Sequence, residues 1–510
     1  MNLACLNALL FFFLLGTAWC QPVLSSMDFT TNVMTLQYPY SNSVGLSLYL
    51  PEVIPYVNDP IFLSRINMSR FDGHYANMFS YYLHVPKGYK YNCNTTFYGG
   101  NITCIQDLST DPSLTTALNN LFYDYSNYYS VDLGYDIERA NFSKAAYMNN
   151  FKKYMNIFSN DGINLELIDY GDSLSSIYNI TYTVNNFISD VSTITYSYYG
   201  LYVDGPGISE NANSSWVNKI HTLFNNFGTT FTFRCIVFKN SSDATIANLM
   251  SETYSSVYLQ NRLVDASNTT INMGKYAVAI NDIRLTNDSG VDGVTDSFAA
   301  ALWALDISMA FSSMSGYSIN FYSPLNDTNQ SVIGAAPYFQ SGAIYYGLLF
   351  ALYSLRDYPM MTTVTVASGI SQSIKVYGMD SYVAYRVLII NKDLNPNASG
   401  VINLKHPSTV GLRCYYLSAP SLDSTQNITF AGMYFVGNSS DYAGEFYFLD
   451  YQMNPLQIYA IELNYSQAAL CEDLPSSPSS WTELLRGRSS QLGEGAIMVG
   501  VGLLLVILAL

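Results

Sequence analysis

The sequence predicts a mixed α/β fold, a (β/α)8 barrel followed by a C-terminal antiparallel β-sandwich. From about residue 45 to residue 355, short apolar runs alternate with longer helical patterns. Four runs are largely apolar on both faces, as parallel strands covered by helices should be: Leu165–Ile168, Phe233–Phe238, Tyr276–Ile280 and Ile319–Tyr322. After about residue 365, Pro, Gly, Asn and Asp separate shorter runs, which is typical of an antiparallel sandwich. These shorter runs are Ile374–Tyr377, Tyr382–Ile390, Gly400–Leu404, Arg413–Leu417, Ile428–Phe435 and Leu456–Leu463.

The first element along the chain is a predicted secretory signal at residues 1–20. Its apolar core, Ala8–Leu15, is followed by the small residues Ala18 and Cys20, which are placed for cleavage before Gln21. No Lys or Arg precedes the core, which departs from the usual pattern. We therefore expect the protein in the secretory pathway, where disulfides form.

The cysteines agree with that compartment. Five of the seven remain after signal removal. Cys93 and Cys104 flank a short loop and are expected to form a local disulfide, and Cys414 and Cys471 can pair near the end of the fold. Cys235 lies in an apolar run and is expected to be a buried thiol.

The chain also carries fifteen N-x-S/T sequons, the acceptor motif for N-glycosylation. A sequence rich in Asn, Ser and Thr forms some sequons by chance, so we expect about two-thirds to be used. The acceptor residues are Asn67, Asn94, Asn101, Asn141, Asn179, Asn213, Asn240, Asn268, Asn287, Asn326, Asn329, Asn397, Asn427, Asn438 and Asn464.

Charge and motifs exclude several classes of function. The formal charge is −16 without a basic stripe, which argues against nucleic acid and against a highly sulfated glycan as partner. The four histidines have no metal-ligand spacing, and no phosphate-binding or dinucleotide motif occurs, so we expect no metal and no cofactor. The 45 tyrosines are either platforms for stacking sugars or general strand and surface aromatics.

Two segments predict helices of the barrel. Gly293–Asp306 predicts a helix whose N-terminus is capped by Thr295 or Asp296. The expected apolar face of this helix consists of Phe298, Leu302, Leu305 and Met309. Ile344–Leu352 is too short to span a membrane and fits the last barrel helix.

These segments resemble glycoside hydrolase family 79, the heparanase and β-glucuronidase family. Gly293–Asp306 resembles the segment after that family's nucleophile strand, and Val387–Lys392 and Leu417–Leu422 resemble parts of its C-terminal β-domain. The likeness is strong across roughly 275–355 and 370–465, moderate near 160–190 and weak before 150. It implies a barrel with a docked sandwich, to which the N-terminal segment Asp28–Gln37 contributes a strand.

The resemblance also locates the family's acid/base glutamate, which lies in a G-N-E-P-D motif. The best match is Leu165–Asp172, where Tyr170 takes the glutamate position. A phenol with an ordinary pKa near 10 is a poor substitute for a carboxylic acid. Glu166 lies on the same strand face but roughly 13 Å deeper, and Asp169 is expected to point to the other face.

The nucleophile position can be placed in two ways. The family's spacing from the helix cap at Asp296 puts it at Asp282, whereas matching Asn281 to a family asparagine puts it at Ala279 and needs a gap. We prefer Asp282, which can also be an ordinary strand-end aspartate. Its carboxylate is recessed by one carbon–carbon bond, about 1.5 Å, relative to glutamate. Retaining glycosidases need two carboxyl groups about 5–5.5 Å apart, so the resemblance implies a degenerate member that lacks both catalytic glutamates.

The C-terminal end carries signals of its own. Residues 466–490 are rich in Ser and Pro and predict a stalk, and residues 491–510 predict a glycosylphosphatidylinositol (GPI) signal with attachment near Ser489. The apolar tail Ala496–Leu510 would reach only about 22 Å as a helix, short of the roughly 30 Å hydrocarbon core. A short tail anchor that stays in place is the alternative.

The predicted organisation is therefore a signal at 1–20, a barrel at 21–365, a sandwich at 366–465, a stalk at 466–490 and an anchor signal at 491–510. We expect a GPI-anchored glycoprotein at the extracellular face of the plasma membrane or cell wall, without hydrolase activity, that binds a glycan or a surface protein. The alternatives are an active retaining glycosidase of the β-glucuronidase type acting on uronic-acid glycans, and a structural coat protein.

Overall fold

The computed structural model of the 510-residue chain describes residues 23–34, 43–66, 79–84, 128–132, 163–166, 169–170, 202–208, 230–265, 278–314, 316–325, 329–335, 338–356, 360–366, 373–380, 385–395, 400–406, 408, 410–435, 442–453, 457–464 and 467–474. The predicted signal, residues 475–490 of the predicted stalk and the predicted anchor signal, with Ser489, lie outside these residues, as do Cys93 and Cys104. Residues 467–474 of the predicted stalk are described, and Gln467–Asp473 form a strand. Ten predicted sequons also lie outside them: Asn67, Asn94, Asn101, Asn141, Asn179, Asn213, Asn268, Asn326, Asn397 and Asn438.

The described residues form strands and a smaller number of helices. In chain order the strands are β1 (Val23–Met34), β2 (Ser43–Tyr49), β3 (Phe79–His84), β4 (Tyr128–Asp132), β5 (Ile163–Glu166), β6 (Asp169–Tyr170), β7 (Tyr202–Ile208), β8 (Thr230–Phe238), β9 (Val278–Thr286), β10 (Ser318–Tyr322), β11 (Met360–Val366), β12 (Ile374–Asp380), β13 (Tyr385–Asn391), β14 (Gly400–Lys405), β15 (Gly411–Ser418), β16 (Thr429–Phe430), β17 (Tyr434–Phe435), β18 (Tyr442–Ala443), β19 (Leu449–Gln452), β20 (Ile458–Leu463) and β21 (Gln467–Asp473). The helices are α1 (Leu50–Val53), α2 (Pro60–Ile66), α3 (Ile246–Met250), α4 (Ser256–Asp265), α5 (Phe298–Ser313) and α6 (Ala343–Leu355). None of these described helices has both the length and the apolar character that a membrane crossing requires.

The first sheet is wholly parallel, as expected for strands connected through helices. Its nine strands follow the order β5-β4-β3-β2-β10-β9-β8-β7-β6, and β5 also pairs with β7. The pairings therefore connect eight of these strands in a ring. The mixed α/β character predicted from the sequence is present.

The second sheet has ten strands and contains the C-terminal part of the chain. Its order is β16-β15-β21-β13-β12-β11-β1-β14-β20, with β19 paired to β15. All pairings are antiparallel except that of β1 with β14. The N-terminal strand β1 thus lies between two C-terminal strands, with Asp28 paired to Thr365 on one side and to Lys405 on the other.

Strand β13 shows why its run is apolar on both faces. Leu388 and Ile390 belong to the apolar cluster that contains α5 and α6. Val387 and Ile389 belong to a second cluster, shared with β14 and β20. One face of the strand therefore packs on helices and the other on strands of the same sheet.

Two cysteine predictions are confirmed. Cys414 and Cys471 are directly opposite each other on β15 and β21, have Cα atoms 4.1 Å apart and form a disulfide. Cys235 is a buried thiol on β8, with 1% of its surface exposed.

Helix α5 differs from its prediction in two respects. The N-cap is Ser297, not Thr295 or Asp296, and it makes no capping bond through its side chain. Instead, the backbone N–H groups of Phe298 and Ala299 donate to the carbonyl oxygens of Ser424 (2.8 Å) and Leu422 (2.9 Å). The helix is buried on every face rather than on one, because the loop before β16 covers its start and α6 packs along it.

Two buried charged side chains connect the second sheet to the helices α5 and α6. Arg386 of β13 donates from Nη1 to the carbonyl oxygens of Tyr353 (2.6 Å) and Ser354 (3.1 Å), which lie in the last turn of α6. Lys392 donates from Nζ to Oδ2 of Asp306 in the middle of α5, at 2.7 Å. Burial raises the pKa of Asp306, but the Lys392 charge and hydrogen bonds outweigh it, so the pKa lies below the usual 3.8. Hydrogen bonds of Arg386 and Lys392 thus connect the second sheet to α6 and α5, respectively.

Candidate functional site

Strand β9 alternates between apolar and polar side chains. Its apolar residues pack in the cluster with the helices: Val278, Ile280, Ile283 and Leu285. Asn281, Asp282 and Arg284 do not belong to that cluster and lie toward the face turned away from the helices. The sequence prediction ended this strand at Ile280, because polar residues follow, but the strand continues to Thr286.

A β-bulge interrupts β9 where its polar residues begin. Phe233 on β8 pairs with Ile280, but the next residue, Arg234, pairs with Asp282, so β9 has one extra residue at this point. The register with β10 shifts at the same place. A bulge redirects neighbouring side chains. Asn281 and Asp282 are both buried, with 0% and 1% of their surfaces exposed.

The carboxylate of Asp282 is bound by Arg284 two residues along the same strand. Nε of Arg284 lies 3.2 Å from Oδ1, and Nη2 donates to Oδ2. The guanidinium carbon of Arg284 lies 3.7 Å from the ring centroid of Tyr322 on β10, a cation–π contact. The aspartate at the predicted nucleophile position is therefore buried, and its carboxylate is paired with the Arg284 guanidinium.

The register of the parallel sheet relates the two predicted catalytic positions. Tyr170 on β6 pairs with Ile208 on β7, Ile208 pairs with Phe233, and Phe233 pairs with Ile280. Tyr170 thus lies within two residues of Asp282 in sheet register. Ala279, the alternative nucleophile position, pairs with Ser318 of β10 and is fully buried.

Glu166 lies deeper than Tyr170, as the sequence predicted. It pairs with Asp204 on β7, and Asp204 pairs with Thr230 at the start of β8. Thr230 precedes Phe231, which pairs with Val278 at the start of β9. Across β7 and β8, Glu166 is thus level with the start of β8, four residues before Arg234, which pairs with Asp282. On its other side, Glu166 is the last residue of β5 and lies next to the end of β4.

Buried side-chain atoms without a hydrogen bond occur among the described residues of these strands. They include both amide atoms of Asn281 and the hydroxyls of Ser47 on β2 and Ser318 on β10. Asn281 and Ser318 lie on the adjacent strands β9 and β10, where Ser318 pairs with Ala279, two residues before Asn281. A buried polar atom without a partner costs about 1–3 kcal/mol, so this interior is suited to polar ligand atoms or water.

The loops after β8, β9 and β10 contact one another at the carboxyl end of the sheet. The amide oxygen of Gln330 accepts a hydrogen bond from the backbone N–H of Thr286 at 3.2 Å. Gln330 Nε2 donates to the carbonyl oxygen of Asp288, and Ser241 Oγ donates to the Asp288 carboxylate. The Ser241 hydrogen bond is the main reason that the pKa of Asp288 lies below its usual 3.8.

Sequence reasoning found two strand positions of the site and missed their surroundings. Arg284 was not assigned a role, although an arginine two residues after an aspartate on one strand places both side chains on the same face. The bulge at Asn281 has no local signal, since neither Gly nor Pro is present there. Among the described residues, no group of three or more His, Cys, Asp and Glu side chains is arranged to hold a metal.

Comparisons with known proteins support the fold. No protein-family model and no curated protein matches the sequence. Among solved structures, a 4-O-α-L-rhamnosyl-β-D-glucuronidase from Fusarium oxysporum 12S matches with a TM-score of 0.67 and 15% identity, covering 88% of this chain and 100% of that one. A family 51 α-L-arabinofuranosidase from Bifidobacterium longum has a TM-score of 0.57 at 10% identity, covering 88% and 99%. A family 30 endoxylanase from Clostridium papyrosolvens C71 has a TM-score of 0.51 at 12% identity, covering 88% and 100%. The chain therefore has a glycoside hydrolase-like fold.

Proposed function

We propose that this protein is a GPI-anchored, N-glycosylated cell-surface protein on a degenerate family 79-like scaffold. In this proposal it binds a glycan or a surface protein, or forms part of a surface coat, and does not hydrolyse glycosides. The proposal includes a closed (β/α)8 barrel, for which the ring of parallel pairings is the support. It also includes a C-terminal β-sandwich, supported by the second apolar cluster between strands of the ten-stranded sheet.

The main support for the proposed loss of catalysis is the pairing of Asp282 with Arg284. A glycosidase nucleophile must present a carboxylate to the anomeric carbon. Asp282 is shorter than glutamate, is 1% exposed, and has both oxygens engaged by the Arg284 guanidinium. A carboxylate held by two charge-assisted hydrogen bonds gives up that stabilisation before it can attack carbon.

The acid function is missing at the facing position. Tyr170 takes the acid/base position and lies within two residues of Asp282 in register. An ordinary phenol holds its proton too tightly at neutral pH to serve as the carboxylic acid of this mechanism. Glu166 lies four residues before Tyr170, and in this proposal it does not replace the acid, because across β7 and β8 it is four residues below the level of Asp282.

Retained binding is supported by the unpaired polar atoms of the interior. The Asn281 carboxamide offers both a donor and an acceptor, the combination that recognises sugar hydroxyls. Tyr322 is already engaged by Arg284, so it is not a free stacking platform for a sugar ring. Binding does not require the two carboxyl groups that catalysis does.

The experiment is a hydrolysis assay on full-length protein purified from a eukaryotic host. We expect background turnover on aryl β-glucuronides and related aryl glycosides, because losing either catalytic function costs several kcal/mol of barrier and each 1.36 kcal/mol is tenfold in rate. Asp282→Asn should leave this background unchanged. The double variant Tyr170→Glu/Asp282→Glu tests whether the cleft can regain weak activity. Robust turnover by the natural protein that disappears in Asp282→Asn would contradict the proposal.

The second candidate is an active retaining glycosidase on uronic-acid glycans. Its support is the fold shared with the Fusarium oxysporum protein, which is a 4-O-α-L-rhamnosyl-β-D-glucuronidase. It requires Asp282 as nucleophile and a separate acid. The same assay distinguishes the two candidates, because only the second predicts turnover that depends on Asp282.

A further inference from the structure

Three predicted sequons lie on three consecutive loops at one edge of the parallel sheet. Asn240 follows β8, Asn287 follows β9, and Asn329 lies in the loop after β10. Because β8, β9 and β10 are adjacent and parallel, their carboxyl ends meet at the same edge. Sequons that are 47 and 42 residues apart in the sequence are thus neighbours in the fold.

The middle residues of these sequons contact one another directly. Ser241, which follows Asn240, donates its hydroxyl hydrogen to the carboxylate of Asp288, which follows Asn287. Gln330, which follows Asn329, donates to the backbone carbonyl of the same Asp288. Each acceptor asparagine is one residue from such a contact, so neighbouring acceptors lie within about 15 Å of each other.

The side chains of two of the three acceptors are accessible. Asn240 and Asn287 are exposed, and Asn329 is partly exposed. The hydroxyl of Ser331, the third residue of the last sequon, is buried and donates to the carbonyl oxygen of Pro324 at 2.5 Å. Asn329 must therefore be modified before this loop folds, as occurs when glycosylation precedes folding during secretion.

We infer that Asn240, Asn287 and Asn329 carry a cluster of N-glycans that crowd one another and cover the β8–β10 side of the barrel mouth. Each transfer forms a bond from the asparagine Nδ2 to the anomeric carbon of an oligosaccharide, supplied as its lipid pyrophosphate. The anomeric carbon–oxygen bond to pyrophosphate breaks, the lipid pyrophosphate leaves, and the amide gives up one proton. The inference rests on the extracellular location in the proposed function, but not on whether the protein is catalytic.

The test uses full-length protein from a eukaryotic host that trims N-glycans, with glycopeptide mass spectrometry at each site. Glycans that are close together restrict access of the trimming enzymes, so those at Asn240 and Asn287 should be trimmed less than the one at Asn464. Asn464 is exposed, directly follows β20 and serves as the matched control. Removing the central sequon should increase trimming at Asn240.

Two variants remove the central glycan in different ways. Asn287→Gln changes the acceptor and Ser289→Ala changes only the exposed third residue of the sequon, so a folding defect in one does not decide the result. Both should increase trimming at Asn240, whereas Asn464→Gln should not. An unoccupied acceptor among the three, or unchanged trimming at Asn240 in both variants, would overturn the inference. If no sequon of the chain carried a glycan, the extracellular location itself would be wrong, which separates the two failures.

Discussion

At the scale of single residues, the guanidinium of Arg284 determines the state of the Asp282 carboxylate. The Asp282 side chain is buried, with 1% of its surface exposed, and 18% of the Arg284 side chain is exposed. Tyr322 supports the guanidinium from the neighbouring strand. Removal of one charge alone would break the ion pair between Asp282 and Arg284 and leave the remaining charge without it.

We predict that Arg284→Met lowers the free energy of unfolding by about 3 kcal/mol, because it leaves the Asp282 carboxylate buried and unpaired. The double variant Arg284→Met/Asp282→Asn should recover much of that loss, since no buried charge remains. Urea unfolding of the natural protein, both single variants and the double variant measures this coupling. A loss in the double variant equal to the sum of the losses in Arg284→Met and Asp282→Asn would show that the pair contributes no coupling energy.

A second residue-scale prediction concerns His406, which is fully buried. Burial lowers its pKa to about 4, while a hydrogen bond with the backbone of Tyr385 acts in the opposite direction. Nδ1 accepts a hydrogen bond from the backbone N–H of Ser408 at 3.1 Å, which requires that nitrogen to be unprotonated. The folded state therefore favours the neutral ring.

Because the pKa of His406 is lower in the folded state than its ordinary 6.5, the unfolded chain binds the proton first as pH falls. Stability should be unaffected by this group above pH 7 and should decline between about pH 6.5 and pH 4, by at most about 3 kcal/mol. Burial raises the pKa of Asp473, which has the opposite effect at lower pH. In His406→Asn the decline should be smaller; an identical pH profile of the urea midpoint would refute the assignment.

At the scale of elements, α5 and α6 approach closely through a glycine. A Cβ atom added to Gly347 of α6 would lie 2.2 Å from the carbonyl oxygen of Ala301 on α5. Backbone cannot move away as a flexible side chain can. The close packing of the two helices thus depends on the absence of a side chain at this position.

We predict that Gly347→Ala destabilises the protein by about 1–3 kcal/mol through overpacking. In an unhindered helix the same change stabilises by about 1 kcal/mol, so the sign of the effect is the test. Thermal unfolding measures it. Adding Ala301→Gly should not rescue the variant, because the obstacle is a backbone oxygen; a raised melting temperature in Gly347→Ala would disprove the close contact.

Elements set by local pattern were predictable, and features set by distant partners were not. The apolar run Ile344–Leu352 lies inside α6, and Ile319–Tyr322 lies inside β10, since burial on both faces leaves a continuous apolar signal. The cap of α5 was predicted wrongly because its acceptors, Leu422 and Ser424, are more than 120 residues away in the sequence. Every residue has a backbone carbonyl, so the sequence does not show which carbonyl oxygen will accept a hydrogen bond.

The candidate site also has features that the sequence predicts and features that it does not. The family resemblance assigned Tyr170 and Asp282 to the two glutamate positions, and the sheet register brings these two residues to similar levels. The extension of β9 beyond Ile280 was not predicted, because inward polar side chains interrupt the apolar run that marks a buried strand. Arg284 belongs to that extension, and its contact with Tyr322 depends on strand pairing that the sequence does not display.

At the scale of the whole molecule, attachment to the membrane is a prediction from the C-terminal sequence. If residues 491–510 are replaced by a glycolipid, phosphatidylinositol-specific phospholipase C should release the protein from intact cells. Truncation after residue 490 should give a secreted form that carries the Cys414–Cys471 disulfide. An epitope placed after Leu510 and still present on the mature surface protein would show that the tail is retained.

The position of β1 has a consequence for how the protein is made. This strand emerges from the ribosome long before its partners, because β11 and β14 begin more than 300 residues later in the chain. At about 5–20 residues per second, synthesis leaves β1 without its partners for tens of seconds. Throughout that interval its backbone groups are open to other strands, including those of neighbouring nascent chains. The second sheet is therefore completed late in biosynthesis, and the yield of folded protein depends on keeping one short N-terminal segment unpaired until then.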